Sequence, residues 1–194
     1  MNPILHGARA ALLCTAALLC AVSPQALAKV DVEAGQSKKL GSVLIAKISE
    51  DIAPGNYEAL LKGLRANPGK YNRKIVMLDS IGGSVNEAIR MGRLLRETGF
   101  HALVASDDVC QGSCVYLLAA GHSKTVRGAV GLHRPYFPQG DSVHSAHSAA
   151  SRISPAMYLR DMGVSPLLLA DMQSIAPAYM RVLSVSDLRR YRLN

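Results

Sequence analysis

No apolar stretch in this chain reaches the roughly 20 residues that a helix needs to cross a bilayer. The longest, residues 10–22 (AALLCTAALLCAV), stops at 13. The segment before it carries Arg9 and no acid, and the segment after it ends in Ala26-Leu27-Ala28. A basic start, a short apolar run and a small-x-small end are the three parts of a secretory signal peptide. The run is too short for a retained membrane anchor. A lipoprotein signal is disfavoured because Leu19, not a small residue, precedes Cys20. The sequence therefore predicts a periplasmic or secreted protein, cleaved after Ala28, with no stable membrane span in its mature form. Removing 28 of the 194 residues leaves 166, one domain of ordinary size.

Cysteine is scarce. Cys14 and Cys20 fall in the signal, so only Cys110 and Cys114 remain. An even count in an exported chain is the pattern of a disulfide. Two small buried thiols are the alternative. Within one helix, an i, i+4 spacing would place the two Cα atoms near the upper limit for bridging. Acidic residues are scarce too, 14 against 22 basic ones, for a formal net charge of +8. The basic residues are scattered, with small clusters only at Lys38-Lys39 and Arg189-Arg190-Tyr191-Arg192. Without aromatic interleaving or zinc-finger spacing, this is a solvated basic surface and not a nucleic-acid interface. Metal ligands are likewise few. His144 and His147 stand at helical spacing, but their Ser/Ala-rich surroundings offer no nearby carboxylate, and zinc needs three or four ligands. No cofactor is expected.

Strands and helices alternate along the rest of the chain. Residues 29–40 (KVDVEAGQSKKL) are polar and read as a loose N-terminal lead-in. Residues 41–48 are rich in β-branched side chains and predict a strand. Tyr57, Leu60, Leu61 and Leu64 make one apolar helix face, which stops at Asn67-Pro68-Gly69. Residues 74–78 (KIVML) suit a buried parallel strand. Ser84 and Glu87 form a capping-box pattern ahead of a helix that ends at Gly99. A short strand over 102–105, a buried helix over 113–120, and strands near 125–126 and 129–133 follow. Residues 134–150 read as a loop. Ser154-Pro155 and Ser165-Pro166 each open a helix, and Ser186 caps a last one. One α/β domain over 41–194 with a mostly parallel sheet is the result.

Three segments carry possible chemistry. In Asp79-Ser80-Ile81-Gly82-Gly83-Ser84, paired glycines ahead of a helix can turn backbone N–H groups toward a ligand. The glycine spacing and the missing Lys-Ser/Thr pair exclude a P-loop; a plain tight turn is the other reading. In Cys110-Gln111-Gly112-Ser113-Cys114-Val115, Ser113 stands at a helix start, either as a reactive hydroxyl or as an N-cap. Val115 excludes the nucleophile elbow of α/β-hydrolases, which needs glycine there. In Gly131-Leu132-His133-Arg134-Pro135, His133 closes a strand, as a base or as a structural hydrogen-bonder.

In this order, DSIGGSVNEAIRMG, CQGSCVYLLAAG and GAVGLHRP resemble the Clp-protease branch of the Clp-protease/crotonase superfamily. The resemblance spans residues 41–135 well and the C-terminal third more weakly. It is nearest to exported bacterial Clp-like proteins with cysteines around the serine. It implies a fold of repeated ββα units and a serine hydrolase, a peptidase working through an acyl-enzyme on a peptide or protein substrate. Ser113 would match the nucleophile and His133 the general base, with Gly82, Gly83 and Cys114 supplying oxyanion N–H groups. It also implies a homo-oligomer. The family's acid falls near Met180, which cannot serve. Asp171 is the first substitute, then Asp161 and Asp187; a backbone carbonyl orienting His133 is another route, and a Ser113–Lys124 dyad a weaker one. A non-catalytic binding protein on the same fold remains the rival reading. Acyl-CoA chemistry of the crotonase branch is disfavoured for an exported chain.

Intact-mass analysis of protein from its native host should show a chain starting at Lys29. Full-length chain in the cytoplasm would contradict export.

Overall fold

The computed structural model describes residues 29–134, 136, 137, 140, 141 and 154–194. The predicted signal and the His144/His147 pair lie outside the described residues. Ten strands and six helices are present among them. In chain order these are β1 (Lys29–Ser37), β2 (Gly41–Ile52), α1 (Asn56–Ala66), β3 (Arg73–Gly83), α2 (Val85–Glu97), β4 (His101–Val104), β5 (Val109–Gln111) and α3 (Cys114–Ala120). Then come β6 (Lys124–Val126), β7 (Ala129–Leu132), β8 (Tyr136–Phe137), β9 (Gly140–Asp141), α4 (Pro155–Asp161), α5 (Leu167–Ser174), β10 (Arg181–Val182) and α6 (Val185–Tyr191).

Eight strands form one mixed, mostly parallel sheet. The neighbours run β1-β2-β3-β5-β7-β10, with β4 and β6 branching from β3. Only the outer pairs, β1 with β2 and β10 with β7, are antiparallel. Strand β3 is long enough to serve two sets of partners. Ile75, Val76 and Met77 pair with β4, and Ser80, further along, pairs with Cys110 of β5. Each short strand pair therefore starts on one branch and finishes on the other: β4 leads into β5, and β6 leads into β7.

The lead-in expectation fails. Residues 29–37 form β1, in register with β2 from Lys29↔Ser49 to Ser37↔Gly41. The signal was present but short. Val30 and Val32 alternate with polar residues and pack on the core, and Asn67 Nδ2 donates to the Val32 carbonyl at 3.1 Å. The stretch read as a loop contains the small β8–β9 pair. Ser165 does not cap α5, whose N-cap is Pro166, and Ser184 rather than Ser186 caps α6. Asp187 decides the latter, since it completes a capping box with Ser184 three residues before it.

The core lies between the sheet and α2 and α3. Every residue of α3 is buried, and α2 contributes Ala88, Ile89, Met91 and Leu95. Tyr158 of α4 enters between these helices, and its hydroxyl donates to the Tyr116 carbonyl at 2.8 Å. Gly92 makes room for it, because a Cβ there would overlap the Tyr158 hydroxyl.

The Ser84–Glu87 pair is only half a capping box. The Glu87 N–H donates to Ser84 Oγ at 3.2 Å. The Glu87 carboxylate instead reaches the neighbouring helix, where Oε1 accepts from the N–H groups of Gly55 (3.0 Å) and Tyr57 (2.8 Å) at the start of α1. Oε2 holds Arg90 at 3.0 Å, and Arg90 also pairs with Glu58 and lies over the Tyr57 ring. One buried carboxylate thus closes the open end of α1 and fastens it to α2. Glu87→Ala leaves two N–H groups and a guanidinium without it, so urea denaturation should show a loss of at least about 2 kcal/mol. A change within about 0.5 kcal/mol, the range of a surface substitution, would contradict this.

Candidate functional site

The three segments singled out in the sequence meet at the carboxyl ends of β3, β5 and β7. Their alignment starts on β3. Asp79 Oδ1 accepts the Val109 N–H at 3.1 Å, which fastens the start of β5. Ser80, fully buried, pairs with Cys110. Its hydroxyl donates to the Glu50 carbonyl at 2.6 Å and accepts the Gly82 N–H at 3.2 Å. Glu50 can offer that carbonyl because β2 bulges there, with Glu50 at φ 63 and a register shift between Ser49 and Asp51. In the sequence, Asp79 and Ser80 are marked only by their place inside the glycine-turn motif.

Gly82 therefore contributes space more than an N–H group. At φ 103 it suits only glycine, and a Cβ there would stand 3.0 Å from the Ser113 nitrogen and 3.4 Å from Ser113 Oγ. Gly83 lies at φ 133, in register with Ile52 of β2.

Strand β5 ends at Gln111, and Gly112 turns the chain into α3 with φ 51. The Gly112 N–H donates to the Gly131 carbonyl of β7 at 3.1 Å. His133, just beyond β7, lays its ring against this turn. A Cβ at position 112 would lie 2.7 Å from His133 Nε2 and 2.8 Å from Cε1. Only glycine permits this contact between the imidazole and the residue before Ser113. His133 Nδ1 lies 3.0 Å from the Arg134 carbonyl. A carbonyl can only accept, so Nδ1 carries a hydrogen, and in the neutral ring Nε2 holds the lone pair. Arg134 is itself held by its N–H, which donates to the Ile175 carbonyl at 2.8 Å.

Ser113 does not act as an N-cap. It precedes Cys114, the first residue of α3, yet its backbone is helical (φ −69, ψ −15) and its side chain makes no capping bond. The residue is 0% exposed, and its Oγ has no hydrogen-bond partner among the described residues. A serine cap contributes about 1 kcal/mol to a helix, and a buried unpaired hydroxyl costs about 1–3 kcal/mol. Position 113 forgoes the first and bears the second.

Cys110 and Cys114 are joined in a disulfide, with Cα atoms 5.3 Å apart. The spacing concern raised by the sequence does not apply. Cys110 lies in β5 and only Cys114 is helical, so the bridge spans a strand-to-helix turn.

The substitute acids are engaged elsewhere. Asp171 Oδ2 accepts the Tyr191 hydroxyl; burial first, and then this bond, push the pKa of Tyr191 up. Asp187 belongs to the α6 capping box and pairs with Arg181 at 2.8 Å. The Ser184 backbone and side-chain hydrogen bonds hold its carboxyl below the usual range. Asp161 is exposed. Lys124 lies on β6, which pairs with β4 and not with the strands that carry Ser113 and His133. Burial and Arg96 lower its pKa. Met180, where the resemblance puts the family's acid, lies against Gly131; a Cβ on that glycine would sit 2.9 Å from Met180 Cγ.

One sheet face runs through the site. Gln111, Gly131 and Val182 are successive partners across β5, β7 and β10, so they share it. Ile81, one residue past Ser80, lies on the same face as Gln111 by alternation. Ile81 and Val182 are exposed there, and so is Met180, whose side chain lies against Gly131. Among the described residues no group of three metal-ligating side chains occurs, and no helix is long and apolar enough to cross a membrane.

No protein-family model matches the chain, and no curated protein matches it.

Thiol titration under denaturing, non-reducing conditions should find no free thiol in residues 29–194. Two free thiols in protein from the exported fraction would contradict the bridge.

Proposed function

We propose that this chain is an exported serine hydrolase, a peptidase with a Clp-protease-like fold, in which Ser113 and His133 act as a dyad. The observation that carries the reading is the Ser113 hydroxyl. It is buried and takes no part in capping its helix, and the imidazole nitrogen that holds a lone pair lies against Gly112, the residue before Ser113. The ordered resemblance of the three segments supports the family assignment, and with it a homo-oligomer. The bridged cysteines suit an oxidising compartment.

Ser113 Oγ attacks the peptide carbonyl carbon while His133 Nε2 takes its proton. The resulting oxyanion receives the Cys114 N–H, which as the first of its helix has no acceptor within it, and the Gly83 N–H. The tetrahedral intermediate collapses, the C–N bond breaks, and His133 returns the proton to the leaving amine. Water then attacks the acyl-serine by the reverse sequence. The Arg134 carbonyl keeps Nδ1–H in place throughout, the task a carboxylate performs in a triad. A carbonyl orients the ring but brings no full charge to the imidazolium, so turnover should be slow beside a triad enzyme. The exposed Ile81, Met180 and Val182 favour a peptide with apolar side chains near the scissile bond.

A second reading has an observation of its own. Ser113 Oγ is fully buried and makes no hydrogen bond to His133, an arrangement that also suits a binding protein that kept the fold. Hydrolysis of an unstructured peptide library separates the two. Ser113→Ala and His133→Ala should each abolish most turnover, and the double variant should lose little more, because the two act as a unit. Gly83→Pro, which removes one N–H, should lower turnover at least about a hundredfold. Equal turnover by wild type and Ser113→Ala would leave the binding reading standing.

A further inference from the structure

We infer that the Cys110–Cys114 disulfide is a positioning element for Ser113, so that the activity proposed above depends on the oxidised state of this one bond. The inference rests on that functional reading.

A helix start is ordinarily anchored by the residue just before it, whose side chain accepts an N–H of the first turn. At α3 that residue is Ser113, and it makes no such bond. A capping hydroxyl would be held by its own helix and turned away from a substrate. The anchor is supplied by the next residue instead. Cys114 is covalently tied to Cys110, and the loop between them holds only Gln111, Gly112 and Ser113.

The other end of the bond is equally well placed. Cys110 pairs with Ser80 of β3 on one side and Val130 of β7 on the other. Those strands carry the Gly82-Gly83 turn and His133. The disulfide therefore fixes the Ser113 turn and the Cys114 N–H against both remaining parts of the site. Without it, three backbone bonds hold the turn: Gly112 N–H to the Gly131 carbonyl (3.1 Å), Val115 N–H to the Gly112 carbonyl (3.2 Å) and Tyr116 N–H to the Ser113 carbonyl (3.1 Å). Gly112, at φ 51, is the residue whose freedom the bridge restricts most. Both cysteines are fully buried among core residues, so the reduced protein is prepared by unfolding in dithiol and refolding with the reductant present.

The redox step balances with a small dithiol as reductant. Its two thiols become a disulfide, the Cys110–Cys114 bond breaks, and both cysteines gain a proton. In an oxidising compartment the bond persists. Chain retained in a reducing one would carry an unclamped nucleophile.

The experiment compares peptide hydrolysis by oxidised wild type, dithiol-reduced wild type and the Cys110→Ala/Cys114→Ala variant. Circular dichroism confirms that each is folded. Displacement of a reacting group by about 1 Å can cost about a hundredfold. Both unclamped forms should lose at least about tenfold in kcat with KM within about twofold, and reoxidation should restore the reduced wild type. Amide exchange should rise over 111–116 and stay unchanged over 74–78. Should the double variant not fold, reduced wild type gives the same readouts. Equal kcat and unchanged exchange in folded, reduced protein would overturn the inference and leave the hydrolase reading intact. Oxidised wild type no more active than Ser113→Ala would overturn both.

Discussion

Strand β3 serves two sets of neighbours, and the geometry of the site follows from that sharing. Its first half is held between β2 and β4, where the chain is regular and the side chains alternate into the core. Its last residues leave β4 and take up β5 through the Ser80–Cys110 pair and the Asp79–Val109 bond. The strand ends in two glycines with positive φ; a side chain at Gly82 would meet the turn at Ser113, and one at Gly83 would meet the backbone of Ile52. Glu50, Ser80 and Gly82 form a short hydrogen-bonded chain that carries the bulge of β2 into the conformation of this end. The site is thus built where regular pairing stops.

At that point the structure accepts local costs in one place. Among the described residues the Ser113 hydroxyl is unpaired and buried, and the adjoining helix lacks its side-chain cap. Gly112 brings the chain so close to His133 that no other residue fits. Such costs cluster at functional sites and are carried by the surrounding structure. Here the support is identifiable: the disulfide, the backbone bond from Gly112 to Gly131, and a helix buried along its whole length. The Met180 thioether stands near Gly131, and His133 Nδ1 turns to the Arg134 carbonyl.

The sequence made the central elements legible because their signals are local. Apolar periodicity placed α1 and α2, a β-branched run placed β2, and paired glycines marked the end of β3. The order of DSIGGS, CQGSC and GLHRP brought together the segments that the structure also brings together. What it hid depends on distant partners. Strand β1 looked polar because only Val30 and Val32 meet the core, and only after β2 exists to pair with them. Glu87 read as half of its own helix's capping box, whereas its carboxylate serves α1 through contacts some thirty residues away. Asp171 was the first substitute acid, but Tyr191, 20 residues further along the chain, claims its carboxylate. The i, i+4 cysteines looked awkward only because their spacing suggested one helix rather than a strand-to-helix turn.

On the proposed function, the Ser113 hydroxyl is left unpaired for chemistry with His133. A fluorophosphonate reagent tests it most directly, with peptide mapping to locate the adduct on folded, oxidised protein. One adduct on Ser113, absent in Ser113→Ala and strongly slowed in His133→Ala, is the predicted result. An unmodified Ser113 after prolonged exposure to the reagent, or modification unaffected by His133→Ala, would contradict it.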